Sequence, residues 1–184
     1  FYGEPGEKNL SQDKKSKPSK INTKQYQKII KENDLNELII DLNKKSIISV
    51  DTETSSLDPQ VAELIGISLS YAKNISFYIP VGHKNIKSLN KDFVIKKLKP
   101  ILEDPSIKKV GQNIKYDFII LKKYGVELNS VEDTMLLSYT LDAGNNRHNM
   151  DTLSELHLNH KTISYKDLVG SGKKQLKFSE VDID

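Results

Sequence analysis

The order in which strand-like and helix-like segments follow one another constrains the fold of this chain most. Three apolar, β-branched runs come first, and the second and third are joined as a hairpin across residues 72–74: KSIISVDTET, LIGISLSY and ISFYIPV. Three further segments follow. DFVIKKLKPILED is expected to be helical up to the region of Pro100, IKKVGQ to be a short strand, and NIKYDFIILKKYG to be an amphipathic helix ended by Gly125. Strands that are first linked as a hairpin and then alternate with helices predict an α/β domain, with a mixed β-sheet flanked by α-helices.

The two ends of the chain differ in character. Residues 1–23 are polar, contain glycine and proline and have almost no large aliphatic side chains, which predicts a flexible leader or linker before a domain over residues 24–184. Two helices are expected next, in TKQYQKIIKEN and DLNELIIDLNKK, with Asp34 as the N-cap of the second. Further on, VEDTMLLSYTLDAG predicts a helix or a strand-to-helix junction and HNMDTLSELHLNH predicts a helix that begins near Asp151. A Gly-rich loop and a possible start of another helix are expected at the C-terminal end.

Composition excludes several classes of protein. Cysteine is absent, which excludes disulfide frameworks, cysteine-ligated metal sites and thiol nucleophiles. No apolar run reaches the roughly 20 residues that a membrane span needs, and the N-terminus lacks the apolar core of a secretory signal. We therefore expect a soluble, cytoplasmic protein that makes no contact with membranes. The net charge of +3 permits nucleic-acid binding without arguing strongly for it, because all but one of the 28 basic residues are lysines on what we expect to be a solvated surface.

Two acidic residues stand at the end of the first buried strand. Side chains at positions i and i+2 of a strand point to the same face, so Asp51 and Glu53 are expected to lie about 6 to 7 Å apart. Paired carboxylates of this kind suit Mg²⁺ or Mn²⁺ better than zinc. From these two residues alone, a solvated strand end is the better interpretation, because acidic pairs at strand ends are common.

Asp117 shifts that balance towards a metal site. It follows the second short strand and lies near the start of a helix, where an acid also interacts favourably with the helix dipole. Two strand-to-helix edges that each deliver carboxylates to one place are nevertheless the usual plan of a two-metal phosphodiester site.

Four blocks of the sequence together resemble a known family. They are VDTETSSLDP, GQNIKYDFIILKKYGVEL, DTMLLSYTLDAGNNRHNMDTLSELHLNHKTISY and GSGKKQLKFSEV. In order and spacing these blocks are similar to the 3′→5′ proofreading exonuclease domain of bacterial DNA polymerase I, over about residue 35 to the last residue. The RHNMDTL block and the GSGKKQLKF loop separate that family from other DEDD exonucleases. The resemblance implies a ribonuclease H-like fold and a metal-dependent 3′→5′ exodeoxyribonuclease.

The resemblance also implies roles for individual residues. Asp51, Glu53 and Asp117 match the carboxylates that bind two divalent ions, Mg²⁺ or Mn²⁺, in the family, with Asp51 bridging them. The residues that match DNA-contacting positions are Leu57, Gln112, Asn113, Tyr116, Arg147 and Phe178. Arg147 matches a phosphate contact, and its guanidinium suits bidentate phosphate binding better than the surrounding lysines do. Phe178 matches an aromatic ring on which an unpaired base stacks.

Most of these DNA-binding assignments have structural alternatives that the sequence leaves open. An exposed Leu57 could serve only packing, Asn113 could be a helix N-cap, and Tyr116 could belong to the core. Phe178 could equally pack beneath the last helix, and for Gln112 binding and structural roles are equally expected. His148 is expected to form structural hydrogen bonds and is given no part in catalysis.

One part of the family pattern is not matched. The third motif of the family supplies a tyrosine that orients the attacking water and a fourth metal-binding aspartate, on a helix that begins after FSEV. Here the sequence stops at Asp184, and no tyrosine follows Tyr165, so neither Asp182 nor Asp184 is assigned that role. The chain also begins with Phe1 rather than Met. We therefore expect a fragment, truncated before the third motif and impaired in hydrolysis, from a longer protein.

The expected partners are a single-stranded DNA or a frayed primer 3′ end and a covalently linked polymerase domain, in a monomer in the bacterial cytoplasm. Two alternatives remain. The domain could be an inert module of the same fold that holds DNA or supports the polymerase domain, although the retained acids argue against this. It could also be an exonuclease of the ribonuclease D type that acts on RNA, which the RHNMDTL block disfavours.

Overall fold

The computed structural model describes residues 22–183, so the predicted leader lies almost entirely outside the described residues, as does Asp184. The described part contains one six-stranded β-sheet. Its strands are β1 (Gln25–Lys28), β2 (Ile47–Thr54), β3 (Leu64–Ala72), β4 (Ile75–Pro80), β5 (Lys108–Gly111) and β6 (Val131–Asp133).

The sheet is mixed, as the sequence predicts. Its strand order is β1-β4-β3-β2-β5-β6. The central strands β2, β3 and β4 pair antiparallel, whereas β1 pairs parallel to β4 and the series β2, β5, β6 is parallel. The antiparallel part includes the predicted hairpin of β3 and β4, and helical segments lead into and out of β5 in the parallel series of β2, β5 and β6.

Six α-helices accompany the sheet among the described residues. They are α1 (Glu32–Leu42), α2 (Lys91–Glu103), α3 (Lys115–Lys123), α4 (Thr134–Asp142), α5 (Met150–Leu158) and α6 (Tyr165–Val169), and 3₁₀ turns cover Gly172–Lys174 and Phe178–Glu180. Helices α1 and α2 each bury one apolar stripe, in α1 formed by Leu35, Leu38 and Leu42. These stripes and the buried strand residues form one hydrophobic core. None of the described helices is long and apolar enough to cross a membrane.

The structure corrects three local predictions. The first predicted helix is wrong, because Gln25–Lys28 forms an edge strand that pairs with β4. Asp34 is not the N-cap of α1; the cap is Lys31, which makes no side-chain capping bond, and Asp34 lies in the first turn. Helix α2 also continues past Pro100 to Glu103. The edge strand escapes prediction because its pairing depends on β4, some fifty residues further along the chain, and not on its own apolar spacing.

The parallel pairing of β2 with β5 decides where functional side chains meet. The last paired residues of the two strands are Ser49 and Val110, so β2 extends beyond β5 by the segment that carries Asp51 and Glu53. Helix α3 begins shortly after β5 ends, at Lys115. Its first turn therefore lies beside the acidic end of β2.

Candidate functional site

Acidic side chains from β2 and α3 meet at one end of the sheet. Asp51 and Glu53 belong to β2 and pair across to Ser68 and Gly66 of β3, with a bulge between Glu53 and Thr54. Asp117, only 2% exposed, lies in the first turn of α3. Thr52 connects the two elements, because its backbone N–H and its Oγ1 both donate to Asp117 Oδ1, at 2.8 and 2.6 Å. One threonine thus fixes the third acid against the strand that carries the other two.

Burial disfavours the charged forms of the three carboxylates, and neighbouring acids add to the effect. Burial raises the pKa of Asp51 from 3.8 to about 7, and the charges of Asp117 and Glu53 add to the shift. Burial and then the charge of Asp117 raise the pKa of Glu53. Burial also raises the pKa of Asp117, although the two hydrogen bonds from Thr52 oppose the shift. The site therefore disfavours the ionised forms of its acids in the absence of a cation.

This donor set fits a hard divalent cation. Within residues 22–183, no three acidic, histidine or cysteine side chains already stand in an arrangement that holds a metal ion. The chemistry of the cluster nevertheless matches Mg²⁺ or Mn²⁺, because carboxylate oxygens are their preferred ligands. A cation among Asp51, Glu53 and Asp117 would also stabilise the charged forms that burial and neighbouring acids disfavour.

The acids line a cavity of about 790 Å³. Five of the six residues predicted to contact DNA line the same cavity: Leu57, Gln112, Asn113, Tyr116 and Phe178. Arg147 does not line it; this residue is exposed on the segment between α4 and α5. Six lining residues were not predicted: Thr52, Thr54, Ser55 and Ser56 of β2 and the loop after it, and Tyr165 and Gln175 near the C-terminal end. Tyr165 precedes the GSGKKQLKF loop. Its sequence neighbourhood does not mark it as a site residue, and only its position beside Phe178 in the folded chain does so.

The loop after β2 is braced from α3. Tyr116 Oη donates a short hydrogen bond to the Ser56 carbonyl and shares another, of 2.5 Å, with Thr54 Oγ1. Leu57, at the end of this braced loop, is 96% exposed at the cavity mouth. The packing alternative for Leu57 is therefore wrong, whereas Tyr116 both packs against the core and lines the cavity.

The junction between β5 and α3 adopts a special backbone conformation. Asn113 has a left-handed φ of 57°, which asparagine tolerates better than most residues. Its N–H donates to Asp133 Oδ1 at 3.0 Å, and the same oxygen caps α4 by accepting from Met135 N. Asn113 is not the N-cap of α3, since that position belongs to Ile114. The structural alternative offered for Asn113 is thus wrong.

Two aromatic rings form an aromatic wall of the cavity, those of Tyr165 and Phe178. The rings of Tyr165 and Phe178 are nearly parallel, with 9° between their planes and 6.3 Å between centroids. The buried His83 ring lies 6.0 Å from Phe178. The next residue, Lys84, holds the 3₁₀ turn of Phe178, through its N–H to Ser179 O at 2.9 Å and its Nζ to Glu180 Oε1 at 2.8 Å. Phe178 is therefore both a packed residue and a cavity wall.

A tyrosine on β4 extends this aromatic group towards the acids. Tyr78 Oη hydrogen-bonds His83 Nε2 at 2.6 Å. The Tyr78 ring crosses Gly66, where a Cβ would stand 2.1 Å from Tyr78 Oη, so only glycine leaves room for the phenol. Burial raises the pKa of Tyr78, and the charge of Glu53 adds to the shift. Burial lowers the pKa of His83, so the fold disfavours the charged forms of both members of this tyrosine–histidine pair.

Comparison with known proteins is consistent with this geometry. The family model described as 3′-5′ exonuclease matches residues 26–181. The chain is 43% identical over 170 residues to DNA polymerase I of Rhizobium leguminosarum, an alignment that covers 82% of this chain and 17% of that protein. It is 40% identical over 149 residues to DNA polymerase I of Pseudomonas aeruginosa, which covers 78% and 16% respectively. The chain thus spans about a sixth of the length of these relatives.

Solved structures share the fold at low sequence identity. The Aedes aegypti Nibbler EXO domain superposes with a TM-score of 0.64 at 14% identity, over 89% of this chain and 84% of that one. A complex of Trypanosoma brucei RNase D with GMP gives 0.62 at 19% identity, over 74% and 42%. Brucella melitensis NrnC with bound Mg²⁺ gives 0.57 at 19% identity, over 81% and 69%. These similarities show the ribonuclease H-like fold that the sequence predicts.

Proposed function

This chain belongs to the 3′-5′ exonuclease family represented in bacterial DNA polymerases I, and from that membership we propose that it is the proofreading domain of a longer DNA polymerase I. The domain hydrolyses the 3′-terminal phosphodiester of a single-stranded or frayed primer and releases nucleoside monophosphates. Its polymerase domain is covalently linked, and the protein works as a monomer in the bacterial cytoplasm. The observation that carries the proposal is the convergence of three carboxylates from two elements on the cavity that also holds the aromatic wall.

Asp51, Glu53 and Asp117 would hold the two divalent ions. When bound, the ions would supply an activated water and would stabilise the leaving oxygen. The chain contributes a rigid frame for these ligands, since Thr52 restrains the Asp117 carboxylate and the strand fixes the spacing of the other two. Their burial disfavours the ionised carboxylates, and a bound cation would offset that effect by stabilising the charged forms.

The cavity favours an unpaired strand. Leu57 at the mouth and the parallel rings of Tyr165 and Phe178 offer apolar surfaces to the faces of bases. In a duplex these faces are already stacked on neighbouring base pairs, so a frayed or mismatched end reaches the cavity at a lower cost in unstacking. Arg147, on the segment that Gln112 of the cavity wall contacts, contributes a backbone phosphate contact.

The test uses a 3′-labelled oligonucleotide and the full-length polypeptide with Mg²⁺. We expect stepwise release of labelled monophosphate, faster from a single strand or a terminal mismatch than from a paired end, and slower from RNA than from DNA. Mutation of a residue that only orients a metal ligand typically reduces metal affinity or activity about 10- to 100-fold. Asp51→Asn removes a ligand itself, so we expect it to slow release by at least about 100-fold. Equal rates for wild type and Asp51→Asn would contradict the proposal.

A second candidate, a DNA-holding module without hydrolysis, follows from one observation. The acids in residues 22–183 are not already arranged as a metal-binding cluster. Calorimetric titration of the chain with Mn²⁺ separates the two functions. Binding that Asp51→Asn and Asp117→Asn each weaken supports the exonuclease, and an absence of carboxylate-dependent binding supports the inert module.

A further inference from the structure

Gln112 joins the cavity wall to the segment that carries Arg147. Its side-chain amide is engaged at both ends: Nε2 donates to the His148 carbonyl at 2.7 Å, and Oε1 accepts from Thr134 Oγ1 at 2.5 Å. Thr134 Oγ1 also lies 3.1 Å from the Gly111 carbonyl, at the end of β5. The Gln112 side chain is therefore held by α4 and by residue 148, although part of it lines the cavity.

The segment between α4 and α5, residues 143–149, is held on both sides of Arg147. Before it, Asn146 Nδ2 donates to Asp142 Oδ2 at 3.0 Å. After it, His148 Nδ1 and Ser138 Oγ share a hydrogen bond of 2.8 Å, and Asn149 Oδ1 caps α5 through Thr152 N at 3.3 Å. Arg147 is an exposed residue between two anchored neighbours, so the position of its backbone is set by bonds that it does not make itself.

We propose that Gln112 is a positioning residue that fixes the 143–149 segment so that Arg147 can meet a backbone phosphate of the bound strand. This inference rests on the proposed function, in which Arg147 contacts a phosphate. It differs from a direct contact between Gln112 and the terminal nucleotide, because the side chain already uses a donor and an acceptor within the protein. Removing the His148 contact would leave the segment freer, and ordering it again on binding would reduce the affinity for DNA.

The two roles predict different salt dependence. A phosphate contact releases counterions, and each such contact to a single strand contributes about 0.7 to the slope of log K against log salt concentration. A neutral amide that touches a base contributes nothing to that slope. If Gln112 positions Arg147, substitution of Gln112 should therefore reduce both the slope and the affinity. If Gln112 contacts a base directly, the substitution should reduce only the affinity.

The experiment measures the anisotropy of a fluorescent single-stranded DNA with the 184-residue chain, in EDTA, at several KCl concentrations. We expect Arg147→Ala to weaken binding and to lower the slope by about 0.7. Gln112→Met, similar in size but without hydrogen bonds, should reproduce both changes, and the double variant should lose little more than either single variant. Amide hydrogen exchange in residues 143–149 should also become faster in Gln112→Met.

Ser138→Ala provides a second route to the same result. This variant removes the hydrogen bond to His148 Nδ1, and Ser138 does not line the cavity. It should therefore lower the slope, as Gln112→Met does, without removing a contact to a base. Gln27→Met, on the exposed edge strand β1, is the matched control and should bind as wild type does.

Three results would overturn the inference: unchanged binding by Gln112→Met, weakened binding with an unchanged slope, or losses that add fully to those of Arg147→Ala. If Arg147→Ala itself binds DNA as wild type does, the phosphate contact in the proposed function fails and the positioning role fails with it. If Arg147→Ala lowers the slope and the affinity but Gln112→Met changes neither, the positioning role of Gln112 is rejected, while the phosphate contact of Arg147 stands.

Discussion

At the scale of single residues, the surroundings of Asp51 disfavour its ionised form. Asp51 is half-buried, and its burial, with the charges of Asp117 and Glu53, raises its pKa to about 7. Unlike Asp117, which receives two hydrogen bonds from Thr52, Asp51 has no such bonds among the causes that shift its pKa. The protein therefore stabilises the ionised form of Asp51 less than that of Asp117, and a bound cation would supply the missing stabilisation.

We predict that Asp51→Asn stabilises the chain at high pH in EDTA. The unfolded chain releases the Asp51 proton near pH 3.8 and the folded chain releases it near pH 7. Between these values the folded state holds more protons, so the free energy of unfolding of the wild type falls as the pH rises. In urea unfolding at pH 8, the Asp51→Asn variant should be more stable than the wild type by about 1 to 3 kcal/mol, with the gain shrinking towards pH 4.

The exposed acid Glu37, on α1, supplies the control for this measurement. Glu37→Gln removes a carboxylate outside the cluster and should show no comparable growth in stability between pH 4 and pH 8. An Asp51→Asn gain that stays the same at every pH would show that the carboxylate is not destabilised by burial.

At the scale of elements, two helices begin in similar backbone conformations but with different caps. Asn90, extended at φ −62° and ψ 130°, caps α2 by accepting from Phe93 N at 3.0 Å. Lys31, extended at φ −121° and ψ 146°, stands at the start of α1 and makes no side-chain capping bond. The first turn of α1 is instead acidic, with Glu32 and Asp34, which interact favourably with the helix dipole.

We predict opposite changes in stability at these two positions. Asn90→Ala should lower the free energy of unfolding by about 1 kcal/mol, because the Phe93 N–H loses its partner. Lys31→Ser should raise it by about 0.5 to 1 kcal/mol, because serine can accept a hydrogen bond from the first turn of α1. Urea unfolding measures both, and Lys31→Ala shows how much of the gain comes from the loss of the lysine charge. A Lys31→Ser variant no more stable than Lys31→Ala would contradict the capping argument.

At the scale of the whole molecule, sheet topology gathers the site from segments that lie far apart in the sequence. The parallel register of β2 with β5 brings the first turn of α3 to the acidic end of β2. The 3₁₀ turn of Phe178 reaches the same place because Lys84, after β4, holds it there. The cavity therefore exists only in the folded chain, and a cation that binds its acids binds the folded state in preference to the unfolded one.

We predict that Mg²⁺ or Mn²⁺ raises the melting temperature at pH 8. At a concentration about 100 times the dissociation constant, mass action contributes about 2.7 kcal/mol, which is roughly 5 to 10 °C for a domain of this size. The shift should shrink below about pH 6, because a proton then competes for Asp51. Differential scanning fluorimetry measures the shift, and EDTA should reverse it.

The control for the metal effect is Asp51→Asn under the same conditions, with KCl added to match ionic strength. It should keep its own melting temperature when the cation is added. A full shift in this variant would place the cation elsewhere on the protein.

Much of the fold and of the acid cluster was predictable because both follow from short-range periodicity. Apolar runs rich in β-branched and aromatic residues identified β2, β3 and β4, and the spacing of two residues placed Asp51 and Glu53 on one face of β2. Residue spacing also predicted the amphipathic helix that carries Asp117. The strand β1 was not predictable in this way, because an exposed edge strand has no apolar alternation of its own and forms only against β4.

The contacts around the acids depended on tertiary structure. Nothing in the sequence connects Gln112 to the carbonyl of His148, or turns the ring of Tyr165 parallel to that of Phe178. The sequence alone thus determined which residue types can bind a cation and on which local elements they lie, because strand and helix periods are set by the backbone within a few residues. The tertiary structure decided which of these elements meet and which side chains fasten one another, because such contacts form only when distant segments pack together.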